Sequence, residues 1–187
     1  MDSLRGRLLV ATPALADGPF LRSVVYLLDH DEDGALGVVV NHPLDADVDD
    51  VLPSWGAWVA APDCLFEGGP VATDSALAVG VLHEHVDPAG RAPHGWRAMA
   101  GRVGLVDLDG PLPQAGDFLG VRVFAGYAGW GADQLEAELE EGSWVVVDAE
   151  DADLLSSRPE TLWRDVLRRQ DDDVRLWATY PPDPTLN

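Results

Sequence analysis

The stretch Gly126-Tyr-Ala-Gly129-Trp130-Gly131-Ala-Asp-Gln134-Leu135-Glu-Ala-Glu138 decides the fold class of this chain, because a β-rich run ending in glycines gives way there to a helical period. Residues 118–125 read as a strand, whereas residues 133–141 place Leu135 and Leu139 on one helical face and acids on the other. Glycines at such a junction permit positive φ and close backbone approach, and a helix N-terminus presents unpaired N–H groups. The expectation is a strand-to-helix turn in which Trp130 packs or caps a pocket and Gln134 aims its amide inward. Gly129-x-Gly131-x-x-Gln134 imitates the start of a dinucleotide fingerprint, but its third position is glutamine and no βαβ unit surrounds it.

Working outward, residues 6–11 read as a first strand, and residues 23–29 and 35–41 as a hairpin around the turn-forming Asp31-Glu-Asp-Gly34. Residues 64–67, 76–83, 103–108 and 144–148 are further strand-like runs, the first two separated by the glycine turn Gly68-Gly-Pro-Val71. Residues 48–58 support no more than a helical turn or two, and 87–93 form a surface loop. Residues 159–169 form a helix with proline in its first turn and Leu162, Val166 and Leu167 on its apolar face. Strands outnumber helices without βαβ alternation. The class is therefore α+β, a complex mixed-sheet fold containing a barrel-like strand arrangement with peripheral helices. One domain is expected over residues 1–187, with an extended C-terminal tail at about 178–187.

The net charge is −21, from 33 acidic residues against 12 basic ones, every one of them arginine. That field opposes direct nucleic-acid contact, whose affinity depends on neutralising phosphates. The nearest approach to a basic patch is Arg164, Arg168, Arg169 and Arg175, interleaved with Trp163 and Trp177. Glu160 and Asp165 precede Arg164 and Arg169 by four residues, the favourable order for ion pairs along one helix face, so a solvated helix surface is expected there. No apolar run approaches the ~20 residues of a membrane span. The N-terminal residues carry no basic and apolar leader pattern, and the expected location is the cytoplasm. Cys64 stands alone and is expected to pack as a small hydrophobe.

Several chemical motifs fail on their own terms. Asp29, Asp31, Asp33 and Gly34 open like a calcium loop, but Val40 stands where a bidentate glutamate is needed. His83-Glu-His85 could turn two imidazoles to one side of a strand, with no third ligand at a recognisable spacing. There is no Gly-x-Ser-x-Gly elbow, and a Walker loop cannot occur without lysine. No cofactor, metal or catalytic group is expected. The candidate ligand-binding residues are Arg22, Asn41, Gly129, Trp130, Gly131 and Gln134, since an arginine and two amides orient an anionic or carbonyl-bearing ligand without chemistry. The expected role is a non-catalytic module binding a small ligand or a protein partner. The alternative is a hydrolase-like enzyme using His30 with Glu138 or Glu67. A third class, an interaction module, would use exposed tryptophans near Trp55 and Trp58.

Four ordered blocks carry a resemblance. They are Gly6-Arg-Leu-Leu-Val-Ala-Thr-Pro13, Arg22-Ser-Val-Val-Tyr26 through Gly34-Ala-Leu-Gly37 to Asn41, Gly68-Gly-Pro-Val71, and Gly126 to Gly131 with Gln134-Leu135-Glu-Ala-Glu138. Together they resemble the YqgE/AlgH family over nearly the whole chain. The resemblance implies a complex α+β fold containing a mixed-strand barrel, in a bacterial cytoplasmic protein. Some members of that family carry the label of transcriptional regulator, which here implies at most indirect action. His42 stands where the family more often has arginine.

Overall fold

A computed structural model describes residues 2–112, 114–171 and 173–181. Ten strands make one mixed sheet: β1 (Arg7–Ala11), β2 (Val24–Asp31), β3 (Gly34–Val39), β4 (Pro43–Asp47), β5 (Cys64–Glu67), β6 (Val71–Leu82), β7 (Trp96–Ala100), β8 (Val103–Val106), β9 (Phe118–Gly131) and β10 (Trp144–Asp148). The main order is β10-β1-β2-β3-β9-β6-β8-β7, with β5 bridging β4 and β9. Pairing is antiparallel except between β5 and β9. The helices are α1 (Val48–Val51), α2 (Gln134–Glu140), α3 (Asp151–Leu154) and α4 (Pro159–Arg168), with 3-10 turns at Ala115–Asp117 and Asp173–Thr179.

The sheet curls. Trp130 on β9 and Trp144 on β10 are four strands apart, about 19 Å on a flat sheet, yet their ring centroids lie 6.0 Å apart. Strands β1 to β3 are buried on both faces, which is why Val24-Val-Tyr-Leu-Leu28 is continuously apolar rather than alternating. Leu8, Val10, Tyr26 and Val38 pack with Leu162, Trp163, Val166 and Leu167 of α4. Leu9, Val25, Leu27 and Val39 pack with Trp130, Trp144 and Leu135 of α2. A separate apolar cluster joins Trp55, Leu65, Leu82, Trp96, Phe118 and Val121 in the other half of the molecule.

The expected mixed α+β class holds, and several local expectations change. The glycine junction is not where the strand ends: β9 runs through it to Gly131, because Gly34 to Gly37 pair with Gly131 to Ala128 and continue the ladder. Close backbone approach occurs at Gly126 instead, with φ +72°, where an added Cβ would lie 2.7 Å from the Gly69 and Val71 carbonyl oxygens. At Gly131 an added Cβ would meet nothing within 4 Å, and at Gly129 only the Tyr127 ring at ordinary contact. Strand β4 begins at a proline and turns the half-buried Leu44 and Ala46 onto the separate apolar cluster between exposed residues, and β7 is an edge strand pairing only with β8 in which Trp96 is buried; both are too short for a sequence pattern to reveal. Trp55 is buried and Trp58 half-buried, so the exposed tryptophan surface expected there is absent. The acidic hairpin turn is closed by Asp31, whose Oδ1 accepts from the Asp33 N–H at 2.9 Å. Of the tail, Ala178 and Thr179 complete a 3-10 turn, and residues 182–187 lie outside the described residues.

Candidate functional site

The candidate site is a cleft between the segment entering β2 and the exposed side of α4. Arg22 stands at its centre with φ +53°, a left-handed conformation that costs a non-glycine residue roughly 1–2 kcal/mol. Asn41 holds it there. Its Oδ1 accepts from the Val24 N–H and its Nδ2 donates to the Arg22 carbonyl, both at 2.9 Å, so the amide brackets the strained residue. From α4, Glu160, Trp163 and Arg164 reach the same cleft, being spaced by three and four residues on one helical face. The Trp163 indole N–H donates to the Ala11 carbonyl at 2.8 Å, which locks the ring. The Arg22 guanidinium then lies 4.6 Å from the ring centroid, a cation–π pair that immobilises one face of the cation.

The free edges of both arginines converge on one stretch of main chain. Arg22 Nη2 donates to the Tyr180 carbonyl at 3.1 Å and also to the Pro181 carbonyl, and Arg164 Nη2 donates to Tyr180 at 3.3 Å. Among the described residues neither arginine forms an ion pair with a carboxylate. Burial, and secondarily the neighbouring Arg164, pull the Arg22 pKa below its usual value. Cavities of about 220 Å3 and 120 Å3 adjoin, sharing Leu21, Arg22 and Trp163. The first is walled by Thr12, Pro13, Leu15 and Ala16, the second by Asn41 and His42. Burial holds the His42 pKa below its ordinary value, against the opposing influence of Glu67 and of a main-chain hydrogen bond at Leu21. His42 is therefore neutral at neutral pH.

Of the expected site residues, Arg22 and Asn41 come together. Gly129, Trp130, Gly131 and Gln134 do not join them: Gly131 pairs with Gly34 at the closed end of the hairpin, seven residues and about 20 Å along the chain from Asn41. Gln134 does not point inward. It is exposed, with Oε1 accepting from the Gly131 N–H at 3.1 Å and Nε2 donating to Glu138 at 3.0 Å. The Trp130 and Trp144 indoles both donate to Glu138 Oε2, at 2.9 and 2.8 Å, and Phe20 stacks against them. That region is filled by the protein's own side chains.

His30 has a different partner from either acid expected. Its Nδ1 accepts from the Leu4 N–H at 2.9 Å, so the neutral ring carries its proton on Nε2, which donates to Glu136 at 2.8 Å. Both nitrogens are engaged, and neither is available to take a proton from a substrate. The hydrogen bond from His30 in turn holds the Glu136 carboxyl below its usual pKa. His83 and His85 bond each other through Nδ1 at 3.0 Å, and the described residues contain no group of three metal-ligating side chains. A larger hollow of about 580 Å3 lies over the paired strands β6 and β8, walled also by Leu52 and Arg97, but Arg97 is exposed and has no hydrogen-bond or ion-pair partner among the described side chains.

The ion pairs expected along α4 do not form among the described residues. Arg169 reaches Asp153 at 2.5 Å and Glu150 at 3.5 Å, while Asp165 pairs with Arg168 at 3.4 Å. Arg164 is thereby left to face the cleft. Sequence reasoning placed Trp163 and Arg164 in a solvated helix; the signal pointing further was a tryptophan beside an arginine in so acidic a chain. It also passed over Arg122, which sits within the valines of β9 and is 1% exposed. Four main-chain carbonyls, of Leu154, Ser156, Ala60 and Ala61, accept from its guanidinium, and the Phe66 ring centroid lies 4.2 Å away.

A sequence profile described as AlgH-like matches residues 8–175. The chain belongs to the AlgH-like family. A protein of Streptomyces avermitilis is 55% identical over 188 residues, covering 100% of this chain and 97% of its own length. One from Mycobacterium tuberculosis is 44% identical over 97% of this chain and 90% of its own. Among solved structures, a Corynebacterium diphtheriae protein superposes with a TM-score of 0.86 at 32% identity, covering 96% of this chain and 93% of that one. The solution structure of the AlgH protein from Pseudomonas aeruginosa gives 0.67 at 27% identity, with 97% and 96% covered. In this AlgH-like chain the matched residues include Arg22, Asn41, Trp163 and Arg164 and stop short of Tyr180. No helix among the described residues is long and apolar enough to cross a membrane.

Proposed function

We propose that this AlgH-like chain is a non-catalytic regulatory binding module of the bacterial cytosol, and that its ligand is an anionic or carbonyl-rich group seated between Arg22 and Arg164 against Trp163. One observation carries the reading: both arginines donate to the Tyr180 carbonyl, Arg22 donating to that of Pro181 as well, and neither forms an ion pair with a carboxylate among the described residues. In a chain of net charge −21, two arginines that share a cavity with a single acid, Glu160, and form no ion pair with it among the described residues are a local exception to the acidic surface. The strained backbone at Arg22 points the same way, since strain is retained where a geometry is needed. The engaged nitrogens of His30 favour binding over acid–base chemistry.

Isothermal titration of the intact protein with malonate and with pyrophosphate tests this. Saturable binding that weakens ten-fold or more in R22A and in R164A is the expected result. Absence of binding by both probes, or affinity indifferent to both substitutions, refutes the cleft as an anion site.

A further inference from the structure

We infer that the natural ligand of the cleft is an extended peptide segment of a partner protein bearing an aromatic residue followed by proline, and that Tyr180-Pro181 of this chain is its intramolecular counterpart. The inference deepens the preceding reading and rests on the same cleft. Its first support is the polarity of the contacts. Every described hydrogen bond between the cleft arginines and the tail is donated to a tail carbonyl. Arginine donors aimed at successive carbonyls suit a segment whose N–H groups are missing or turned away. Proline lacks the N–H, and its ring keeps the chain extended with carbonyls unbonded and outward.

The walls supply the second support. Arg22 on the Trp163 ring makes a cationic floor, and Pro13, Leu15, Ala16 and Leu21 line the apolar side of the 220 Å3 cavity left beside Tyr180. Leu21 and Tyr180 are 43% and 50% exposed at its mouth, large apolar surfaces that a longer ligand would cover. Aromatic-lined grooves that accept proline-rich segments are a recurrent recognition mode.

The test is fluorescence anisotropy of a labelled peptide of residues 178–187 against full-length protein. The wild type, whose own tail competes at high effective concentration, is expected to bind weakly. The full-length double variant Y180G/P181G is expected to bind at least ten-fold more tightly, and addition of R22Q and R164Q is expected to reverse that gain. A peptide with Pro181 and Pro182 replaced by alanine is expected to lose binding as well. If the double variant folds poorly, as judged by its circular-dichroism melt, P181G alone serves. Equal affinity of wild type and tail variant, or a gain that survives the arginine substitutions, overturns the inference. Exchange of tails between two copies, seen as a doubled mass on light scattering, overturns the assignment to a separate partner. Binding of malonate or pyrophosphate through Arg22 without any peptide binding would defeat the inference and leave the cleft reading intact.

Discussion

Arg22 and Arg122 use the same chemistry for opposite ends. Each lies over an aromatic ring, Trp163 at 4.6 Å and Phe66 at 4.2 Å, and each donates to main-chain carbonyls. Among the described residues neither has a carboxylate partner. The difference is in what supplies the acceptors. Around Arg122 they come from Ala60, Ala61, Leu154 and Ser156, internal segments that cannot leave without unfolding, and burial pushes its pKa down to about 10, still protonated at neutral pH. Around Arg22 they come from Tyr180 and Pro181, next to open cavities. An arginine whose acceptors are fixed is a staple, and one whose acceptors are replaceable is a site.

The largest expected effect is at the staple. Arg122→Ala removes the donor shared by four main-chain carbonyls, that of Leu154 buried and the others part-buried, and leaves a cavity, and a loss of about 3–5 kcal/mol is expected by urea denaturation; a loss under about 1 kcal/mol would erase the contrast. Next, Arg22→Ala is expected to change stability by less than about 1 kcal/mol, since it gives up a half-exposed cation and eases no buried contact, while it weakens anion binding ten-fold or more. Equal stability losses for the two arginines would make both structural.

Asn41→Ala sharpens the comparison by loosening Arg22 without touching it. A stability loss of about 1 kcal/mol is expected from the two hydrogen bonds to Val24 and Arg22, together with weaker anion binding on titration. The smallest effect concerns pH. His42 shares the 120 Å3 cavity with Arg22, Arg164 and Glu160 and also feels Glu67. Its folded pKa lies below the unfolded value, so its contribution to stability is present above about pH 6.5 and is lost as pH falls through the folded pKa. Protonation also adds positive charge to the cleft. Affinity for sulfate, whose charge is constant over this range, is therefore expected to rise as pH falls from about 8 through the folded pKa of His42, and this rise should vanish in H42Q.

The first strand, the hairpin and the helix beginning at Pro159 were legible because each rests on local physics: apolar periodicity, a two-residue acidic turn, a proline in the first helical turn. Strands β4 and β7 were not, since each is a five-residue strand with a break in its pairing register and only one or two core-facing side chains to pattern. At the site, Arg22 and Asn41 could be named because they flank one hairpin and meet by its register. Gln134 failed because a glycine-rich run was taken for the end of a strand that in fact continues by pairing with β3.

Sequence by itself determined the family, the mixed α+β class, the acidic surface and the absence of a lysine, because these follow from composition and from ordered local blocks. Only tertiary structure decided which charges lack partners. Arg164 was assigned by spacing to Glu160, and Arg169 to Asp165, yet Asp153 of the neighbouring α3 captures Arg169 while Arg164 turns to Tyr180. Ion pairing depends on which side chains the fold brings within a few ångströms, and Arg22 and Trp163 are distant in sequence and 4.6 Å apart in space.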